Sequence, residues 1–244
     1  MNIHGKTDKG ILRHSNQDAF SFGTFEDGAA WAVVCDGMGG ANGGNIASEM
    51  AVENLSASLQ SGYRLNMTEM SIKNLLTSAV NAANVKVFCK AREDVSLAGM
   101  GTTVVAVLIL GNTAYIAHAG DSRAYVYSDG RLLQLTRDHS IVQRLVEEGN
   151  ITWDEAKVHP RKNVITRALG VEESVEVEFT VADLPEKASL LICTDGLTNY
   201  TSNEELIEIL SSEPLETVTE RLIEAANNNG GGDNITAVVI DTIH

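Results

Sequence analysis

The sequence predicts an α+β domain in which two packed β-sheets are flanked by pairs of helices. Three observations carry that prediction. Two long segments between residues 46 and 91 repeat apolar side chains at helical spacing. A dense series of strand-like segments, broken by glycine-containing turns, fills 101–135. A second pair of helical segments then precedes one last strand-like stretch, 235–240. With 244 residues, three prolines and no Pro- or Ser-rich linker, residues 1–244 read as one domain able to bury a sizeable core.

The opening segment, 7–20, is rich in turn-forming residues and taken alone would pass for a solvated loop. It carries Arg13 and Asp18 and runs into the strand-like FSFGTF. Residues 30–35 are too few for an ordinary helix, and Val33 and Val34 favour a pleated backbone, so a buried strand is expected there. That strand stops at Asp36. Glycines at 37, 39, 40, 43 and 44 follow, leaving the backbone free to turn sharply and to approach a ligand. The next helix is predicted over 46–59 with Asn45 as N-cap, and the one after it over about 68–91. Ile46, Met50, Leu55 and Leu59 mark the first apolar stripe, and Ile72, Leu76, Val80 and Val87 the second, each suited to covering a sheet face.

Four antiparallel strands are expected in succession as a meander between 101 and 135, with Asp129-Gly130 as a two-residue hairpin turn. Residues 102–110 are apolar throughout and belong at a sheet centre, whereas 115–127 alternate more and imply one wetter face. Asp121 falls in a tight connection of this meander. From 136 to 170 the pattern breaks into short helical pieces, with a capping box at Thr152 and Glu155. A stretch of that length without strong periodicity reads as a functional flap, near 138–163. Strands resume at 175–181 and 190–193, and helices at 202–210 and 215–226.

Charge and cysteine usage narrow the function. The 33 acidic against 18 basic residues give a formal charge of −15, which repels nucleic acid and anionic membrane surfaces alike. Cys35, Cys89 and Cys193 have no paired spacing for zinc or redox chemistry and read as buried structural thiols of a reducing compartment. The first ten residues do not form a signal peptide, and the longest aliphatic run, 104–110, is far below the roughly 20 apolar residues of a membrane helix. A soluble cytoplasmic protein is expected.

Three aspartates stand at strand ends beside glycine: Asp36 before Gly37, Asp195 before Gly196, and Asp233 after Gly232. One Asp-Gly pair alone is more often a plain turn. If the three strand ends converge on one rim, their carboxylates repel one another unless a cation neutralises them. Oxygen ligands without His or Cys select Mg²⁺ or Mn²⁺ over Zn²⁺, and a two-metal hydrolytic site is the natural reading. Rival phosphatase and nucleotidase chemistries fail on spacing. The residues six after the cysteines are Ala41, Val95 and Asn199 rather than the arginine a cysteine-dependent phosphatase needs, and Gly5-Lys6-Thr7 lacks the preceding glycine of a P-loop.

The ordered set Asp8, Gly10, Arg13, Asn16-Gln17-Asp18, CDGMGG, MGTT (100–103), AGDSRAY (119–125), TRDHS, HPRKNVITRALG, TDGL and GGDNIT resembles the bacterial branch of the type 2C, metal-dependent (PPM) serine/threonine protein phosphatases, over essentially the whole chain. The resemblance implies a β-sandwich of two antiparallel sheets in αββα layers. It implies hydrolysis of phosphoserine and phosphothreonine in phosphorylated proteins, opposing a cognate Ser/Thr kinase, by a monomer that binds neither nucleic acid nor membrane. By the same resemblance Asp36 bridges two Mn²⁺ or Mg²⁺ ions, with the Gly37 carbonyl on one and Asp195 and Asp233 on the other. Asp121 and Asp195 would share a weaker third ion, and Asp18 would hold a metal-bound water. Arg13 would grip the substrate phosphate, and His159 matches the flap histidine of the HPxxN motif. Two departures stand out. Gln17 takes the place of a glutamate found in eukaryotic members, and Ala41 and Met38 occupy the two positions where relatives carry the histidine that serves as general-acid candidate. An inactive phosphatase fold acting as a phosphoprotein-binding module is the alternative reading, disfavoured because crowded carboxylates kept without their cation would destabilise the fold.

Overall fold

In the computed structural model the described residues are 1–242, less the side chains at 40–42. Alternation along the strands sets the layers. In β3 (Ala30–Met38), Val33 and Val34 are both fully buried but point to opposite faces, and each face meets a different apolar cluster. Val34 faces the opposite sheet, joining Val105, Ile116, Ile192 and Val238 between the sheets. Val33 faces outward, onto Leu55 of α1 (Gly40–Gly62) and Leu76 and Val80 of α2 (Glu69–Glu93). A sheet covered on both faces explains why its strands read as unbroken apolar runs.

The first sheet has the order β1 (Asn2–Asp8), β11 (Ile235–Asp241), β10 (Ser189–Cys193), β7 (Arg123–Ser128), β8 (Arg131–Gln134). The second runs β2 (Asp18–Thr24), β3, β5 (Val104–Leu110), β6 (Thr113–Ala119), β9 (Glu178–Asp183), with β4 (Gly101–Thr102) paired to the end of β3. Among the described residues the strand pairings are antiparallel. Outside the first sheet lie α6 (Asn203–Ser212) and α7 (Leu215–Asn228), whose Leu206 and Leu222 pack on Leu191 and Val239. The αββα sandwich expected from the sequence is therefore present. Between β8 and β9 the flap carries α3 (Ile141–Glu147) and α4 (Trp153–Lys157), the latter opened by the expected capping box at Thr152 and Glu155. No helix of the described residues is long and apolar enough to cross a membrane.

Several expectations need correction. The run from 101 to 135 is not one meander, because β6 and β7 belong to different sheets and the chain crosses between them at 120–122. Both arrangements are antiparallel, so periodicity alone cannot tell them apart. What forces the crossing is Gly120, whose φ of +114° and whose missing Cβ, which would lie 2.6 Å from Thr103 Cγ2, admit no other residue. Helix α1 starts at Gly40 rather than 46, with Gly39 as N-cap, so Asn45 lies inside the helix. Tertiary packing overrides the poor helix propensity of glycine there: a Cβ at Gly39 would meet Met100 Cα at 2.5 Å. The first strand, β1, was hidden in a polar segment, and its ladder with β11 rather than its own side chains makes it a strand. The strand expected at 175–181 begins at Glu178, while Val175 and Val177 pack ahead of it on the core under α1 and α2. Cys35 and Cys193 are buried, but Cys89 is exposed, since it falls off the stripe defined by Val87 and Ala91.

Candidate metal centre

Strand register brings the first two aspartates together. Asp18 on β2 is the direct partner of Asp36 on β3, both at the end of the second sheet. From the first sheet, Asp195 opens the single turn α5 (Asp195–Thr198) right after β10, and Asp233 lies just ahead of the neighbouring β11. Asp18 joins the two sheets. Its Oδ2 accepts the hydroxyls of Thr194 at 2.8 Å and Thr236 at 2.7 Å, while its Oδ1 is buried without a hydrogen-bond partner. Thr236 in turn donates its backbone N–H to Thr194 Oγ1 at 3.0 Å.

Asp36 is held through its backbone, and its carboxyl meets that of Asp195 in a hydrogen bond. Its N–H donates to Thr103 Oγ1 at 2.9 Å, and its carbonyl accepts from Thr103 N–H at 2.8 Å and from the Thr102 hydroxyl at 2.9 Å. Thr103 Oγ1 also lies 2.7 Å from Ser122 Oγ, so the crossover that carries Asp121 is tied to Asp36 through one hydroxyl. Gly37 donates its N–H to the Gln17 carbonyl at 3.0 Å, and a Cβ there would stand 2.0 Å from the Gly44 carbonyl. Only glycine lets the chain pass under the start of α1 at this point.

The Arg13 segment is solvent-exposed at 11–15, as expected of a loop, yet it is tethered to 230–234. Ile11 and Leu12 donate their N–H groups to Gly231 O at 2.7 and 3.2 Å. Asn234 fastens the rest: its Nδ2 donates to the carbonyls of Lys9 at 2.8 Å and Ser15 at 2.9 Å, and its Oδ1 accepts Gln17 N–H at 2.9 Å. Arg13, about half exposed, reaches Asp233 Oδ2 with Nη2 at 2.7 Å.

Burial and mutual repulsion disturb the carboxylates strongly. Desolvation pushes Asp18 up to about 7, the two threonine bonds pull it down, and Asp195 and Asp233 push it up again. Desolvation also raises Asp36 well above the usual range, and Asp18, Asp195, Asp121 and Asp233 all add to it. Asp121 is raised first by burial and then by Asp195, and Asp195 first by burial and then by Asp233. The five aspartates therefore share one field. Asp195 Oδ1, like Asp18 Oδ1, is buried without a partner. Such a set fits hard divalent cations, which would neutralise the crowding and engage the orphaned oxygens. Among the described residues no three of these aspartates bring ligand atoms within 4.8 Å of one another.

Arg13, Asp18, Asp36, Gly37, Asp121, Asp195 and Asp233 thus share one neighbourhood, and His159 does not join them. The His159 Nδ1 accepts Arg161 N–H at 3.1 Å and its backbone N–H bonds Ala156 O at 3.2 Å, both within the flap. Among the described residues no hydrogen bond or ion pair links it to an aspartate. Ala41 lies outside the described residues as far as its side chain is concerned. Sequence reasoning overlooked Thr103, Thr194, Thr236 and Asn234, although each sits inside MGTT, TDGL or GGDNIT, where a hydroxyl or amide beside a strand-end aspartate was the available signal.

A family model described as protein phosphatase 2C matches residues 13–238. The serine/threonine phosphatase stp of Listeria monocytogenes is 40% identical over 246 residues, spanning 99% of this chain and 96% of its own. The structure of the S. agalactiae serine/threonine phosphatase superposes with a TM-score of 0.91 at 36% identity, covering 100% of this chain and 99% of that one. The catalytic domain of the phosphatase PstP, solved with two manganese ions, gives a TM-score of 0.87 at 34% identity, covering 100% and 98%. Fold, rim and relatives together define a metal-dependent serine/threonine protein phosphatase. The chain belongs to the protein phosphatase 2C family.

Proposed function

We propose that the protein is a single-domain cytoplasmic phosphatase of bacterial signalling, acting as a monomer on phosphoserine and phosphothreonine placed in proteins by a cognate Ser/Thr kinase. The observation that carries this reading is the convergence of Asp18, Asp36, Asp195 and Asp233 from two sheets onto one rim beside Arg13. Asp36, the Gly37 carbonyl, Asp195 and Asp233 would hold two Mn²⁺ or Mg²⁺ ions, and Asp121 with Asp195 a weaker third. Bound there, the ions supply charge to the phosphoryl oxygens and lower the pKa of the attacking water.

The chain's own groups do the rest. Arg13 offers a planar fork of donors that matches two phosphate oxygens, and it trades its contact with Asp233 for them. Asp18, fixed through Oδ2 by two threonines, has Oδ1 left to accept a hydrogen bond from water and so to orient it. His159 is assigned to the flap's contact with the phosphoprotein. The test is hydrolysis of a phosphothreonine peptide by the full chain in excess chelator, then with Mn²⁺ or Mg²⁺ restored. Turnover that persists in chelator overturns the reading.

Two further outcomes are expected. Asp121→Asn should leave two tightly held ions in place, by calorimetric titration, yet lower turnover about tenfold or more, because a charge near the phosphoryl group is worth over a kcal/mol. Loss of the tight pair would instead place Asp121 among their ligands. Substitutions at His159 or Arg161 should alter the ranking of phosphopeptides while leaving p-nitrophenyl phosphate hydrolysis within about twofold, since a small ester does not reach a peripheral loop. Equal losses on both substrates would make the flap a purely structural element.

A further inference from the structure

The TRDHS segment, 136–140, enters no step of the chemistry above, yet it is bonded to the crossover that carries Asp121 and to the start of β7 that follows it. Thr136 Oγ1 accepts Ala124 N–H at 3.1 Å. Asp138 grips Arg123 with both oxygens, from Nε at 2.9 Å and from Nη2 at 2.6 Å. His139 takes both backbone groups of Gly120: its N–H donates to Gly120 O at 2.8 Å, and its ring Nδ1 accepts Gly120 N–H at 3.1 Å. The same residue holds the far end of the flap, since its carbonyl accepts Thr166 N–H at 2.7 Å.

The Gly120 N–H decides the role of Nδ1 in this ring. A backbone N–H only donates, so Nδ1 is the acceptor, while Nε2 lies between Glu178 Oε2 at 3.1 Å and the Arg167 Nη1 donor at 2.9 Å. Burial holds the imidazole neutral, pushing it down to about 4. His118 stacks on this ring with centroids 4.6 Å apart, and its own Nε2 lies 2.9 Å from the Arg137 carbonyl. His118, His139 and Glu178 bring ligand atoms within 4.8 Å of one another and could be taken for a zinc triad. One fact opposes that: Arg167 Nη1 stands 2.9 Å from His139 Nε2, a fixed positive charge at the ion's place.

We infer that His139 is a positioning residue: it latches the 120–122 crossover to both ends of the flap, and so sets where the carboxylate of Asp121 is presented. The consequence for ion binding rests on the reading of Asp121 as a ligand of the weaker ion. The latch itself does not, so the two can fail separately. Gly120 does not fix the crossover alone, because glycine populates positive and negative φ with similar ease and its φ of +114° is one of several open to it.

His139→Phe keeps a ring stacked on His118 and removes the acceptor, whereas His139→Asn retains a carbonyl oxygen near the place of Nδ1. In the full chain, His139→Phe should speed amide exchange at Gly120 by about tenfold, the value of one lost hydrogen bond. It should weaken the third Mn²⁺ by a similar factor without touching the tight pair, and lower kcat on a phosphopeptide with KM unchanged. His139→Asn should restore the slow exchange and most of kcat. Unchanged Gly120 exchange in His139→Phe overturns the latch. So does a ¹⁵N spectrum of the unmodified protein that places the His139 proton on Nδ1, a measurement that needs no variant to fold. If Asp121→Asn alters neither Mn²⁺ binding nor turnover, the third-ion reading falls, and Gly120 exchange still decides the latch.

Discussion

Asp36→Asn and Asp195→Asn each lower turnover of a phosphothreonine peptide by on the order of 10³-fold, and each raises the melting temperature of the chelator-treated protein. The two effects have opposite signs for one reason. Each carboxylate is buried among the others, and burial with repulsion from its neighbours opposes its ionisation. With the cations removed, that repulsion works against folding at neutral pH, and an isosteric amide relieves it. With the cations present, the same charge is what binds them, and losing several kcal/mol of charge stabilisation corresponds to about three powers of ten in rate. The gain in melting temperature should be a few degrees, as about 1 kcal/mol corresponds to roughly 2–4 °C in a chain of this size. The stabilisation by added Mn²⁺ should shrink in the variants. Scanning calorimetry with chelator and with Mn²⁺, beside the peptide assay, separates the two. A variant that loses activity while becoming less stable in chelator would show that its carboxylate is a structural hydrogen-bonding group instead.

What the sequence could reveal followed from which interactions are local. Helices α1 and α2 and the strands from β5 to β8 announce themselves because their periodicity records burial on known faces, and the Asp129-Gly130 turn because positive φ at both residues demands such a pair. The candidate ligand aspartates were legible as strand-end Asp-Gly pairs, and the roles proposed for them come from the ordered motifs. Features made by contacts distant in sequence were not legible. β1 exists through β11, and α1 begins early because its glycines fit against Met100. The Arg13 segment is ordered by Asn234, more than 200 positions away. Thr194 and Thr236 meet on Asp18 only because β10 and β11 are neighbours in one sheet while Asp18 belongs to the other. A pattern of single residues carries no record of such pairings.

Gly196→Ala should be among the most damaging changes outside the candidate ligands themselves. Its Cβ would stand 1.8 Å from the carbonyl oxygen of Asn234 and 3.3 Å from Asp233 Cβ, so the loop ahead of β11 must move. Backbone cannot yield as a flexible side chain would. Overpacking of this kind costs about 1–3 kcal/mol, or roughly 2–12 °C in melting temperature for a chain of this length. The displacement also spreads through named contacts: Asp233 moves with its neighbour, and Asn234 carries the segment that holds Arg13 through its bonds to Lys9, Ser15 and Gln17. Asp233 and Arg13, the proposed ion ligand and phosphate grip, are thus shifted together, and a misplacement of about 1 Å can cost on the order of 10²-fold in rate. Gly130→Ala is the matched control. Gly130 also has a positive φ, 72°, but nothing lies within 4 Å of where its Cβ would be, so backbone strain should lower its melting temperature without touching kcat or Mn²⁺ affinity. Should Gly196→Ala retain the turnover and Mn²⁺ affinity of the unmodified protein, the close approach of α5 to the Asp233 loop is not what aligns the two halves of the site.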